Sequence, residues 1–377
     1  MKNIHTTIKL LLGLLLAAEF MVLSGCKTAS PNSPATEFLP TSEEKIRKND
    51  LAEVSVMTYN VENLFDTVHD KNREDFTYLP LSEKMKPEVI AYCSTLSSYR
   101  RQECEKTDWN ETVLKTKLDS IANVIRKVDA GAGPDVLLLA EVENESILKR
   151  LVSEKLGDLG YKTVVLLEGP DIRGIDPAFI SKYTLVAKPV LHLVPYADAN
   201  QEQLKLARRS RGILEVTVEL PNKRSLTFLV AHFPSQSNPT EWRAQAVAFA
   251  KKLITEKMKQ GKAVILGGDL NITSEENAKH GYYSKELSEV GLVSHVVGCT
   301  ECPGTHNYKG HWDFLDAFVF SKNLADAKAT VLTDSFQVVR TYENSRKNGT
   351  PLPFDTTKVV VGASDHFPLY TKIKMLH

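Results

Sequence analysis

Residues 263–271 read Ala263-Val264-Ile265-Leu266-Gly267-Gly268-Asp269-Leu270-Asn271. The first five residues are a short apolar run, the pattern of a buried strand. Two polar side chains close the stretch, Asp269 and Asn271. They stand two apart, so on an extended strand end they point the same way. A Gly-Gly-Asp turn closed by Asn would account for the glycines alone. A strand that carries a carboxylate and an amide to its end accounts for the whole stretch.

The same join of apolar strand to polar residues recurs along the chain. Val54-Ser55-Val56-Met57-Thr58-Tyr59 reads as a strand and runs into Asn60-Val61-Glu62-Asn63-Leu64. Val136 to Leu139, after Pro134, leads into Ala140-Glu141-Val142-Glu143-Asn144. Further strands are expected at 212–219, 225–231, 314–320 and 367–374. Ala231-His232-Phe233-Pro234-Ser235 closes one of them, and Ser364-Asp365-His366-Phe367-Pro368 opens the last. Residues 111–128 place Val113, Leu114, Leu118, Ile121, Val124, Ile125 and Val128 at helical spacing on one face. A second helix is expected over 240–258, and Gly160 and Gly261 stand near helix-to-strand junctions. Strands and helices in alternation mark an α/β protein with sheets inside and helices outside. Neither a repeat nor a second domain boundary interrupts residues 51–377. Residues 68–109 are polar, contain proline, hold Cys93 and Cys104, and read as an insertion.

These five motifs, in this order, resemble the endonuclease/exonuclease/phosphatase superfamily over about residues 53–374. The resemblance implies a four-layer α/β sandwich, two facing mixed β-sheets flanked by helices, with all five motifs at one rim. It also implies roles for matching residues. Glu141 would bind Mg²⁺ or Mn²⁺, hard cations that prefer carboxylate and amide oxygens. Glu143 and Glu145 lie close by, so the family pattern and not spacing selects Glu141. Asn60 would orient metal or phosphate, and Asp365 would share in the metal site. Asp269 would orient or deprotonate the attacking water, and Asn271 would hold a phosphoryl oxygen. Asp316, in Trp312-Asp313-Phe314-Leu315-Asp316, would pair with His232; Asp313 is its local competitor. His366, oriented by Asp365, would contact the scissile phosphate, and His232 would act as general acid. Histidine, with an ordinary pKa of ~6.5, suits both tasks.

Arg173 and Arg243 are candidate phosphate contacts, as are Arg208, Arg209 and Arg211, although Arg-Arg-Ser-Arg before a strand is also a common solvated run. Gathered at one rim, Glu141, Asp269, Asp316 and Asp365 call for a cation. Like charges ~4 Å apart repel by about 4 kcal/mol at an effective dielectric of ~20.

Hydrophobic residues make up 42% of the 377 and charged residues 25%, ordinary for a soluble globular domain. Formal charge is zero. Without residues 1–25, which hold Lys2, Lys9 and Glu19, 45 basic residues face 46 acidic ones. That argues against a protein that coats nucleic acid by charge alone, while an enzyme needs only a local basic patch. Lys2 and Lys9 flank an apolar run from Leu10 to Leu23, short of the ~20 residues that span a bilayer. The pattern reads as a secretory signal over 1–25, with Glu19 a blemish. Leu23-Ser24-Gly25-Cys26 resembles a bacterial lipobox, which would make Cys26 the lipid-anchored first residue of an exported protein, periplasmic or at the cell surface. Residues 26–50 would be its flexible tether. An exported protein with four further cysteines is expected to form disulfides, and local pairing of Cys93 with Cys104 and Cys299 with Cys302 is the simplest of three connectivities. A zinc site on Cys299-x-x-Cys302 lacks a second ligand pair.

The substrate that fits best is nucleic acid, DNA ahead of RNA. His232-Phe233-Pro234 and Ser364-Asp365-His366-Phe367-Pro368 resemble the deoxyribonuclease pattern. Leu315 and Ala317 beside Asp316 depart from the inositol phosphatase pattern. A sphingomyelinase-like phosphodiesterase stays open, though no apolar membrane-touching hairpin is evident. The alternative of another class is a non-catalytic surface-lipoprotein binding module. A monomer is expected.

Overall fold

The computed structural model describes residues 52–198, 200–299 and 302–376. They belong to the compact unit Ile46–His377. The signal sequence, the lipobox with Cys26 and the tether lie outside the described residues.

Among the described residues fourteen strands run in chain order, beginning with β1 Glu53–Leu64, β2 Val136–Val142, β3 Thr163–Leu166, β4 Asp176–Ser181, β5 Val190–His192, β6 Ile213–Glu219 and β7 Ser225–His232. Then follow β8 Val264–Asp269, β9 Gly291–Val293, β10 His306–Tyr308, β11 His311–Asp313, β12 Asp316–Ser321, β13 Ala329–Val338 and β14 Leu369–Met375. One sheet has the order β13-β14-β1-β2-β4-β3 and the other β5-β6-β7-β8-β12-β9, while β10 and β11 form a separate hairpin. Each six-stranded sheet is mixed: β1 with β2 and β7 with β8 are parallel, and the other pairs are antiparallel.

Strand alternation explains the layers. Val54, Val56, Val136 and Leu138 of one sheet pack against Val216, Phe228, Val230, Ile265 and Phe318 of the other. The intervening residues Met57, Tyr59, Leu137 and Leu139 face outward onto a helical layer. Leu229, Ala231, Val264 and Leu266 do the same on the far side. Each fully buried Val, Leu, Ile or Phe contributes about 1.5–3 kcal/mol, so three such cores suffice to hold the four layers together.

The helices are α1 Pro87–Thr95, α2 Ser98–Lys106, α3 Glu111–Ile125, α4 Glu145–Arg150, α5 Gln201–Ala207, α6 Thr240–Lys259, α7 Ser274–His280 and α8 Ser294–Val297. Asn110 caps α3 by accepting from the N–H groups of Thr112 and Val113. The helix expected to reach 128 stops at Ile125: Arg126 caps it, and Val128 is already extended. Two disulfides close locally, Cys93 with Cys104 and Cys299 with Cys302. Within 68–109, α1 and α2 pack around Leu79, Val89 and the Cys93–Cys104 bridge. No helix of the described residues is long and apolar enough to cross a membrane.

Candidate active site

The alternation that builds the core also builds the site. Asn60 continues the inward row of Val54 and Val56, His232 that of Phe228 and Val230, Asp269 that of Ile265, and Asp316 that of Phe318. Register then brings them level: His232 pairs with Asp269, and Asp269 with Asp316. The polar groups are thus the last rung of the core between the sheets. Gly268 is required there. Its φ is 142°, and a Cβ would stand 1.9 Å from the Ala231 carbonyl oxygen.

Glu141 arrives by a different route. Alternation alone would aim it outward with Leu137 and Leu139. Instead β2 shifts register between Leu139 and Val142, and Glu141 takes φ 66°. Such a bulge re-aims a side chain. The Glu141 carboxylate accepts from the Asn60 amide nitrogen at 3.3 Å and from the backbone N–H of Asn63 at 3.0 Å. Asn60 also donates to Asp269 at 3.0 Å, and its side-chain oxygen accepts from the Glu62 N–H. Asn60 thus braces the two carboxylates, and its oxygen keeps one lone pair free.

One correction concerns the histidines. His366 Nδ1 lies 2.7 Å from Asp316 Oδ2, so Asp316 pairs with His366, not His232, and Asp316, not Asp365, orients His366. The reason lies in the last motif. The Ser364 hydroxyl donates to the Asn60 carbonyl and accepts from the His366 N–H, folding the motif across the strand ends onto β12. His366 Nε2 then sits 3.9 Å from Asp269. His232 Nε2 sits 3.6 Å from Asp269 and 3.8 Å from Glu141, and its Nδ1 has no partner among the described residues.

The two imidazoles are driven apart electrostatically. Burial, with the positive charges of Arg211, Arg173 and His366, holds His232 well below its ordinary pKa. Burial would also lower His366, but Asp316 and Asp269 outweigh it and hold His366 well above its ordinary range. Burial raises Asp269 to about 7, with Asp316 adding to the rise and His366 opposing it. The opposed shifts favour the neutral form of His232 and the protonated form of His366.

Asn271 takes φ 51°, donates its amide to the Phe233 carbonyl at 3.1 Å, and donates its N–H to Asp269. Asp365 approaches His366 and His306, the three donor atoms lying within 4.8 Å of one another. His306, which sequence reasoning passed over, sets its ring 4.8 Å from the His366 ring at a 40° tilt. Only its backbone bridge to His366 explains its place, and a lone histidine carries no such signal. Asp313 instead accepts from Ser274 N–H and hydroxyl at 2.7 Å, outside the cluster.

The arginines divide. Arg173 is exposed beside the site and donates to the Asn63 side chain at 2.5 Å. Arg211 pairs with Asp171 at 2.9 Å, in the turn that carries Arg173. Arg243 contradicts the phosphate expectation. It is 1% exposed, pairs with Glu276, and donates to the carbonyls of Pro234, Ser235 and Asn238. Its cation is spent holding the loop after His232.

Glu141 and Asp269 offer hard carboxylate oxygens on either side of the Asn60 amide, a donor set that suits Mg²⁺ or Mn²⁺. The residues fit a divalent cation.

The sequence model of the Endonuclease/Exonuclease/phosphatase family matches residues 97–375, most of the chain. The chain belongs to the endonuclease/exonuclease/phosphatase family. Family members depend on divalent metals, and this chain is accordingly a metal-dependent phosphoester hydrolase. The first motif, in β1, lies before the matched residues but pairs within the same sheet. Solved structures share the fold. An endonuclease/exonuclease/phosphatase from Beutenbergia cavernae aligns with TM-score 0.53 and 16% identity over 86% of this chain and 72% of that one. TDP2 from C. elegans aligns with TM-score 0.50 and 15% identity, covering 86% and 75%. The Bacteroides thetaiotaomicron mannosyl-6-phosphatase Bt3783 aligns with TM-score 0.50 and 15% identity, covering 85% and 99%. No curated protein matches.

Proposed function

We propose that the protein is an exported phosphodiesterase that hydrolyses nucleic acid by in-line attack of water on phosphorus. The observation that carries the reading is the arrangement around Asp269: His232 and His366 point Nε2 at it from 3.6 and 3.9 Å, and Asp316 holds His366 from behind at 2.7 Å. Paired groups with pKa values pushed apart divide acid from base work. Asp269 orients the attacking water and takes its proton. The water oxygen bonds to phosphorus as the bond to the leaving oxygen breaks. His366, held by Asp316, gives its proton to that leaving oxygen; this moves the donor role from His232 to His366. His232 and Asn271 line the phosphoryl group, and Arg173 meets the substrate from outside. A divalent ion, held at Glu141, would supply charge neutralisation at the phosphoryl oxygens.

Nucleic acid is the favoured substrate because the His232-Phe233-Pro234 and Ser364–Pro368 motifs resemble deoxyribonucleases and Arg173 stands uncommitted to any carboxylate among the described residues. Export and anchoring rest on the Leu23–Cys26 lipobox, with Cys26 lipidated; the two disulfides fit an oxidising compartment. Purified residues 27–377 should cleave single-stranded DNA and bis(p-nitrophenyl) phosphate with Mg²⁺ or Mn²⁺. Cleavage of sphingomyelin or sugar phosphates with DNA and RNA left intact would refute the substrate assignment.

A further inference from the structure

The Cys93–Cys104 bridge ties α1 to α2, making a stiff arm from residues that sequence reasoning left as an insertion. This arm walls two adjoining clefts of about 260 and 520 Å³, which share Asn63, Thr77, Tyr78 and Glu103. The smaller cleft touches the acid cluster. Asn63 donates its N–H to Glu141, and its side chain accepts from Arg173. Arg100 of the arm and Arg173 both line this cleft. Neither has a carboxylate partner among the described residues, whereas Arg73, Arg101, Arg126, Arg150, Arg211 and Arg243 each have one. Glu141 and Asp171 act on Arg173 from a distance, but neither guanidinium is locked in an ion pair, and a phosphate suits their fork of donors.

The other walls narrow the choice. Tyr78, stacked on Phe65 at 4.0 Å, and Tyr92 present aromatic surface to the same space. Glu74 and Glu103 also line it, so it is no basic track for a run of backbone phosphates. One phosphate and one flat ring match the lining.

We propose that this cleft holds the nucleotide next to the scissile phosphate, its phosphate on Arg100 and Arg173 and its base against Tyr92. The assignment rests on the nucleic-acid reading above. It makes the disulfide arm the part of the molecule that selects single-stranded or unpaired substrate, because a base within a duplex stack cannot reach Tyr92.

The test is steady-state kinetics with Mn²⁺ for wild type, Arg100→Ala and Tyr92→Ala. One substrate is a single-stranded oligonucleotide; the other is methyl p-nitrophenyl phosphate, which has no flanking phosphate. Both variants should raise KM for the oligonucleotide about tenfold, with kcat unchanged. Both should hydrolyse the small diester as wild type does, which also shows that they fold. An abasic unit at the flanking position should raise the wild-type KM similarly and leave Tyr92→Ala unaffected. Oligonucleotide cleavage with wild-type KM in both variants would overturn this proposal alone. Hydrolysis of the small diester with no cleavage of any oligonucleotide would overturn the nucleic-acid reading and this proposal with it.

Discussion

Asp316 and His366 lie 50 residues apart and meet at 2.7 Å in a fully buried contact. The Asp316 carboxylate does two things there: it fixes the ring orientation and holds the proton on it. Asp316→Asn keeps the shape and removes the charge. Because Asp316 raises the His366 pKa, its loss lowers that pKa. The alkaline limb of the kcat/KM profile should therefore move to lower pH, and kcat should fall by roughly 10²-fold or more. An unchanged limb in a pH–rate measurement would detach His366 from the proton transfer. The identities of these residues were legible in the sequence as members of family motifs. Their partnership was not. Which histidine Asp316 meets depends on how Ser364 ties the last motif to the Asn60 carbonyl, a contact across 304 residues that no local pattern encodes.

At the scale of elements, α6 and the loop after β7 form one mechanical unit around Arg243. Three loop carbonyls and Glu276 of α7 share a single guanidinium. Arg243→Ala leaves Glu276 buried and those carbonyls unpaired, which should cost about 3–5 kcal/mol of stability. Chemical denaturation reads this directly, and a stable variant with weakened substrate binding would restore the phosphate-contact reading. Sequence could not separate the two roles, because an arginine at helical spacing looks alike facing solvent or core. Strand prediction failed by the same rule. β8, β7 and β6 are apolar runs and were legible. β4 starts with Asp-Pro and β13 is an edge strand with exposed Thr, Asp and Gln positions, so neither shows a continuous apolar signal. Glu141 was found through the family pattern alone, since its aim depends on a bulge that breaks alternation.

Across the whole molecule, two sheets share one core, and the site is where that core ends in polar residues. β1 with β2 supplies Asn60 and Glu141, and β7, β8 and β12 supply His232, Asp269 and Asp316. The α/β class was legible from the alternation of strands and helices, and the two facing sheets from the family resemblance of the motifs. The arm of α1 and α2 was not, because its order comes from a disulfide and a small apolar cluster. The account stands or falls on a cation at Glu141 acting with His366. The most direct measurement is phosphodiester hydrolysis by wild type, Glu141→Gln and His366→Ala, each titrated with Mn²⁺ after chelation. Wild type should be silent without metal and regain activity with it. Glu141→Gln should need far more Mn²⁺ for half-activation, and His366→Ala should stay near background at saturating metal. Metal-independent hydrolysis by wild type, or full activity of His366→Ala, would contradict the account.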